Sequence, residues 1–379
     1  MHPELLESIL EFYESYDSLA PCPTYTDLRA LWLQDAADAY EESLPWSEIE
    51  SDTFQEQSVS SHIQFIESIM TTFLEKSGSS WGARSVEERK AHIETLVALP
   101  QTGQRTAEWY SQSKEVLTAS EFSQILGTPR ALETLALQKV ASTGVLRGPP
   151  RLACATSDLG PMDWGVRFEP VVKQILDRMW GAEIVDVGRL YHPTDSYLAA
   201  SPDGLIRAAT DQAKIGRLLE IKCPIKRELT GKIPFEYWCQ MQLQMEVTGI
   251  DECEYLEVKL VSATRDRPEY VAADKGLGLE YNGMVWLFQD GATLELSYAY
   301  TEVERAAAIE KGLVQLETIP WHLDSFFSSV VVRDRAWFAS TAEKRDRFWE
   351  MVGKAKQGTL EVAPYKKGVT VQVCKIEDY

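Results

Sequence analysis

Basic residues are scarce in this 379-residue chain: 38 Lys and Arg stand against 58 Asp and Glu, a net charge of −20. That balance argues against a continuous basic coat for nonspecific polyanion binding. A local basic groove stays compatible with it, because binding follows the local field and not the sum. The six cysteines (Cys22, Cys154, Cys223, Cys239, Cys253, Cys374) are scattered, with no C-x-x-C pair. Reduced thiols are therefore expected, and not a zinc site or a disulfide framework. No stretch approaches the roughly 20 apolar residues of a membrane span. The opening "MHPELLESILEFYESYD" is acidic and amphipathic, without the basic start and apolar run of a signal peptide. An intracellular, soluble protein with no membrane partner is the expectation. Internal repeats and low-complexity tracts are absent too.

The 44% hydrophobic content and 11 Trp are enough for a real core. The length allows one large domain or two ordinary ones. Charge is unevenly spread: residues 1–60 hold 14 acidic side chains and one basic one, Arg29, a net of −13. Such a segment would repel a polyanion and suits packing on the core or on a protein partner. The first hundred residues read as helices, with Leu5, Leu6, Ile9, Phe12, Tyr13 and Tyr16, and later Ile63, Ile66, Ile69, Met70 and Phe73, at helical spacing. Residues 74–85 read as a linker, and Ser85 with Glu88 forms a capping box opening a helix toward Leu99.

From about residue 105 strands mix with helices. A short helix follows "LTASEF", a Gly/Pro turn lies at 148–150, and a long helix at 171–179. Strand-like runs fall at 183–191, 196–200, 204–209, 217–223 and 254–261, with a helix at 237–249 before the last. Residues 284–300 read as a hairpin around Asp290-Gly291; one charged amphipathic helix over "RDRAWFASTAEKRDRFWEMVGKA" and a strand-like "GVTVQV" follow. The fold class is α/β with an appended helical region, divided into 1–100 and 101–379.

The stretch "SPDGLIRAATDQAKIGRLLEIKCP" (201–224) carries the chemistry. On a strand, Glu220 and Lys222 share one face and Ile221 takes the other, while Leu218, Leu219 and Ile221 indicate burial. Asp203 sits at a Pro-Asp-Gly bend, and the 17-residue gap allows strand, turn and strand to bring its carboxylate to Glu220. Two hard oxygen ligands suit Mg²⁺, and an adjacent ammonium can orient water and hold a phosphate. Taken separately, P-D-G is an ordinary turn and E-x-K an ordinary solvated pair. Together, inside an apolar strand, they indicate a site. Around it cluster Lys214, Arg217, Lys226, Arg227 and Lys232, a solvated basic face or a wall that tracks phosphates.

This stretch resembles the PD-(D/E)XK nuclease signature, and the Cys and Pro after the lysine narrow the resemblance to the YqaJ/phage lambda exonuclease family, the alkaline exonucleases. Three further blocks follow that family's order. "EWYSQSKEVLTASEFSQIL" (108–126) is similar to its W-x-x-x-R…T-A-S helix, "MDWGVRFEP" (162–170) to its W-G-x-x-x-E-P block, and "YWCQMQLQMEVTG" (237–249) to its Q-x-Q helix. Residues 1–100 and 265–320 have no counterpart.

The resemblance implies a restriction-endonuclease-like PD-(D/E)XK core, a mixed central sheet flanked by helices, with a helical N-terminal extension. It implies a Mg²⁺-dependent exonuclease (with Mn²⁺ as a substitute) that digests one strand of duplex DNA from the 5′ end and leaves 3′ tails. Asp203, Glu220 and the Ile221 carbonyl would hold the metal, and Lys222 would activate the water. Glu169 would add a carboxylate; its neighbour Pro170 places it in a first turn or at a kink. Gln240 would orient the substrate or Lys222, though Gln242, Gln244 and Glu246 show that a plain polar helix face is present. Thr118 and Glu121 form a capping box, and the helix they open would offer N–H groups near Ser120 to a DNA phosphate. Partners implied are double-stranded DNA, a single-strand annealing protein and further copies of the chain in a ring-like trimer. A viral source would place it in the host cytoplasm or nucleus.

One position departs: the family's arginine four residues after the Trp falls at Ser113, with Lys114 beside it. Arg105, Arg147 and Arg151 are the nearest replacements for a 5′-phosphate contact. A restriction-like or structure-specific endonuclease shares the same triad, and a noncatalytic DNA- or partner-binding module is the alternative from another class. An iron–sulfur relative is disfavoured, because Cys374 stands alone near the C-terminus.

Overall fold

The computed structural model describes residues 84–141, 159–265, 267 and 269–360. The helices read before residue 84, the 148–150 turn, Arg147, Arg151 and "GVTVQV" lie outside them. The first described helix, α1 (Val86–Val97), starts at Ser85 through the expected capping box: Glu88 N–H donates to Ser85 Oγ at 3.2 Å, and Ser85 N–H donates to Glu88 Oε2 at 2.7 Å. Its Ile93 and Leu96 enter a core shared with Leu117, Phe122 and Leu218.

Next come α2 (Ala107–Gln112), β1 (Leu117–Thr118), a single 3-10 turn at Ala119–Glu121, α3 (Phe122–Leu126) and α4 (Pro129–Val140). After these lies α5 (Pro161–Trp180), longer than the 171–179 expected. It ends at Gly181 in the left-handed region, φ 57°, where an added Cβ would lie 2.8 Å from Thr210 Oγ1. The expected 183–191 strand is two short ones, β2 (Glu183–Val185) and β3 (Leu190–Tyr191). Gly188 explains the break: its backbone passes so close to Thr102 that a Cβ would meet the Thr102 carbonyl at 2.4 Å. Strands β4 (Leu198–Ala200), β5 (Gly204–Ala208) and β6 (Leu218–Lys222) follow, then α6 (Phe235–Thr248) and β7 (Glu252–Ser262).

The remainder is β8 (Asn282–Gln289), β9 (Leu296–Ala299), α7 (Glu302–Glu310), β10 (Val314–Val332), α8 (Arg335–Ser340) and α9 (Ala342–Lys356). The single C-terminal helix read from sequence is thus two, because Thr341 Oγ1 donates back to the Phe338 carbonyl at 2.7 Å and ends the first. Seven strands form a mixed sheet in the order β2-β5-β6-β7-β10-β8-β9, and β1-β4-β3 form a smaller one. In the larger sheet the β6–β7 pair is parallel, with α6 as its crossover, and the other neighbours are antiparallel; in the smaller one β1–β4 is parallel and β4–β3 antiparallel.

Alternation along β6 divides the core. Leu218 packs in the cluster containing Met241 and Met245 of α6, whereas Leu219 and Ile221 pack with Trp164, Phe168 and Val172 of α5. Glu220 and Lys222 therefore face α6. This is the mixed sheet between helical layers expected of the PD-(D/E)XK core. Among the described residues no helix is long and apolar enough to cross a membrane.

Candidate active site

Asp203 and Glu220 are joined through the backbone of β6. Asp203 N–H donates to the Leu219 carbonyl at 3.1 Å, and Ile221 N–H donates to Asp203 Oδ2 at 2.7 Å. The Pro-Asp-Gly bend thereby clips the start of β5 onto β6 beside Glu220. Gly204 is needed here, since a Cβ would lie 2.4 Å from Ile184 Cγ2. Glu220 is fully buried: Lys222 Nζ donates to its Oε1, and Gln244 Nε2 donates to its Oε2 at 2.7 Å. Lys222 Nζ also donates to Gln240 Oε1 at 3.3 Å and stands 4.5 Å from the centre of the Tyr237 ring.

Electrostatics follow from this crowding. Loss of water, then the charges of Glu220 and Glu169, push the Asp203 carboxyl well above the usual range. Burial works against the Lys222 ammonium, yet Glu220 and Asp203 outweigh it and hold the amine above its ordinary pKa. For Glu169 burial again opposes ionisation, but Lys173 and Arg105 prevail and lower it.

Glu169 lies in the third turn of α5, not the first, so Pro170 stands inside the helix and deprives the Val166 carbonyl of its usual donor. Its carboxylate is held by Arg105 Nη2 and by Lys173 Nζ at 2.9 Å. Arg105 adopts φ 66°, rare for a residue with a side chain. Its neighbour Gln104 is pinned by donating to the Pro202 carbonyl at 2.9 Å and the Val187 carbonyl at 3.0 Å. A strained residue is thus fixed beside the Asp203 turn.

Residues Ile221–Arg227 and Tyr237 and Gln240 of α6 line a cleft of about 1150 Å³, closed by Ser120, Ser123 and the start of α5. Ser120, Lys226 and Arg227 are among its lining residues. Thr118 and Lys114 are not among its lining residues. Lys114 Nζ instead donates to the Ala141 carbonyl at 3.1 Å. Thr118 is tied to Glu121, whose Oε2 accepts from Thr118 N–H at 3.0 Å and from its hydroxyl at 2.6 Å.

Sequence reading missed four groups. Gln244 stands one turn beyond Gln240, and that i, i+4 spacing was the available signal. Gln242 turns away from the site, donating to the Val332 carbonyl at 2.8 Å and accepting from Asp334 N–H at 2.6 Å. Lys139, buried on α4, spends its ammonium on the Ser113 carbonyl (2.6 Å), the Val116 carbonyl (2.7 Å) and Glu121 Oε2 (2.6 Å). Nothing local in the sequence marks it. The cation pair on Glu169 and the acid Glu257 behind Arg227 complete the set.

Among the described residues no group of three or more His, Cys, Asp or Glu side chains converges as a metal cage. Asp203, Glu220 and the Ile221 carbonyl are nonetheless the hard oxygen donors that Mg²⁺ takes alongside waters and substrate phosphate. The second Asp203 oxygen accepts no hydrogen bond among the described residues, and the raised Asp203 pKa is the strain a bound cation would relieve. The residues fit the ion.

Residues 108–251 match the family model of the YqaJ-like viral recombinase domain. An uncharacterized protein of Acanthamoeba polyphaga mimivirus is 29% identical over 183 residues, 45% of this chain but 32% of that protein's length. An alkaline exonuclease of Laribacter hongkongensis aligns with TM-score 0.40 and 20% identity, over 67% of this chain and 95% of its own. A phage-related exonuclease of Haemophilus somnus aligns with TM-score 0.33 and 11% identity, over 64% and 92%. Both TM-scores lie below 0.5. The four sequence blocks and the family model coincide on the same stretch of chain: the match to the YqaJ-like viral recombinase domain over residues 108–251 takes in Asp203, Glu220, Lys222 and Gln240.

Proposed function

We propose that this protein is a divalent-metal-dependent DNA exonuclease that digests one strand of a duplex, in the 5′-to-3′ direction, leaving 3′ single-stranded tails for strand annealing. One observation carries the reading. The Asp203–Ile221 hydrogen bond sets the Asp203 carboxylate beside the Glu220–Lys222 pair, and Lys222 lines a cleft that also holds Lys226 and Arg227. Mg²⁺ held by Asp203, Glu220 and the Ile221 carbonyl would supply positive charge for the phosphate being cleaved.

The chain's own groups do the rest. Lys222, kept protonated by Glu220 and Asp203, holds its Nζ protons ready to orient water and to meet the charge that develops on the phosphate. Gln240 and Gln244 fix the Lys222–Glu220 pair from α6. Ser120, Lys226 and Arg227 line the path of the phosphate backbone.

A linear duplex and a covalently closed circle of the same sequence separate this reading from an endonuclease. The linear form should be degraded with Mg²⁺ while the circle stays intact. Nicking or linearisation of the circle at a comparable rate would instead support the endonuclease reading.

End recognition should be weak. Ser113 offers little in place of an arginine, since its hydroxyl donates to the Tyr110 carbonyl at 2.6 Å and its own carbonyl serves Lys139. Arg105 is engaged by Glu169. Initial rates on matched duplexes with 5′-phosphate and 5′-hydroxyl ends should differ by less than about tenfold, as neither Ser113 nor the engaged Arg105 offers a free guanidinium fork to grip the extra charge. A preference of about a hundredfold or more would reveal a strong clamp, and Arg105→Ala would then test whether Arg105 supplies it.

A further inference from the structure

The parallel register of β6 and β7 sets Tyr255 opposite Glu220 and Glu257 opposite Lys222. Facing residues of neighbouring strands lie on the same side of a sheet, so Tyr255 and Glu257 continue the row that carries the cleavage chemistry. Glu257 is fully buried, and a charge so placed is costly unless it is paired and hydrogen-bonded. Three bonds satisfy it. Its Oε1 accepts from the Tyr255 hydroxyl at 2.6 Å and from Arg227 Nη2, and its Oε2 accepts from Arg227 Nη1 at 3.2 Å. Tyr255 is buried as well, and it gives its hydroxyl proton to Glu257. Neither Tyr255 nor Glu257 lies within the family-matched residues 108–251.

Arg227 comes from the segment after β6, lines the cleft, and keeps 40% of its side chain exposed. A guanidinium carries five N–H donors. The two-pronged contact with Glu257 uses two and leaves three. The buried end of the pair is the anion, and the exposed end is a cation held at a fixed place on the cleft wall. Such a fork, unlike a mobile lysine, loses little further freedom when it binds a phosphate.

We propose that Glu257, supported by Tyr255, is a positioning residue that presents Arg227 to a backbone phosphate of the bound DNA strand. This rests on the DNA-cleaving reading above, and the test separates the two. Binding of the full-length protein to a fluorescent duplex is measured by anisotropy in metal-free buffer, where nothing is cut, over a salt series. Arg227→Ala should weaken binding about tenfold and reduce the salt slope by about one contact. Glu257→Gln removes a negative charge near a polyanion, so Coulomb attraction alone would tighten binding. Positioning requires the opposite, a loss of about five- to tenfold, and the double variant should bind no more weakly than Arg227→Ala. Arg227→Lys, which keeps the charge but not the fork, should behave like Arg227→Ala, and Tyr255→Phe should lose less.

Glu257→Gln binding as tightly as wild type or tighter would overturn the proposal. So would an Arg227→Ala protein with unchanged affinity and a lowered melting temperature, since the pair would then be purely structural. If Glu257→Gln failed to fold, Arg227→Lys and Tyr255→Phe would decide: full affinity in both overturns the proposal. Failure of the wild-type protein to bind duplex DNA would instead sink the DNA reading itself.

Discussion

Replacing Lys222 by alanine should lower DNA cleavage by about 10²–10⁴-fold, the range of a positioned proton-donating side chain, with duplex affinity nearly unchanged. The ammonium is fixed by Glu220 and Gln240, and no other cation bonds to Glu220 among the described residues. Asp203→Ala and Glu220→Gln should each cost at least as much, because each removes half of the carboxylate pair. Glutamine is the better probe at position 220, since alanine would leave Lys222 half-buried without its counter-charge and destabilise the fold. Single-turnover rates on a linear duplex read the effect. Near-wild-type turnover in any two of the three variants would contradict the assignment.

The same crowding predicts that Asp203→Asn stabilises the cation-free protein while abolishing its activity. Asp203 ionises with difficulty because burial and the charges of Glu220 and Glu169 oppose it. A carboxyl whose pKa is raised on folding costs stability when ionised. That cost is absent below the unfolded-state pKa of about 3.9 and complete once pH exceeds the folded-state value. In EDTA at pH 8, Asp203→Asn should therefore melt higher than wild type, on the order of 2–4 °C for each kcal/mol relieved. Near pH 4 the difference should shrink toward zero. Added Mg²⁺ should raise the wild-type melting temperature more than that of the variant. A variant melting lower than wild type at pH 8 in EDTA would show that the Asp203 charge is compensated in the folded protein.

Much of this was legible because buried charge conflicts with local rules. Glu220 and Lys222 stand out on a strand otherwise made of Leu and Ile, and the P-D-G bend announces where Asp203 turns. The Ser85 capping box and the Asp290 turn could be read because each is closed by neighbours in sequence, with Asp290 Oδ1 accepting from Ala292 and Thr293 N–H at 2.8 and 2.9 Å.

What stayed hidden depends on distant partners. β10 runs for 19 residues across both β7 and β8, yet Pro320 in its middle removes a ladder donor and reads as a strand breaker. Lys139 meets Ser113 and Glu121 only through the fold, and Gln242 differs from Gln244 only in which wall of α6 it faces. Glu257 looks like an ordinary strand acid until the parallel register places it beside Lys222.

The direct measurement is digestion of one linear duplex labelled at either the 5′ or the 3′ end of the same strand, with and without Mg²⁺. With Mg²⁺ the 5′ label should appear at once in mononucleotides while the 3′ label stays in long, progressively shorter strands, and without it both should remain intact. Equal digestion in EDTA, or prompt release of the 3′ label, would contradict a metal-dependent 5′-to-3′ exonuclease built on Asp203, Glu220 and Lys222.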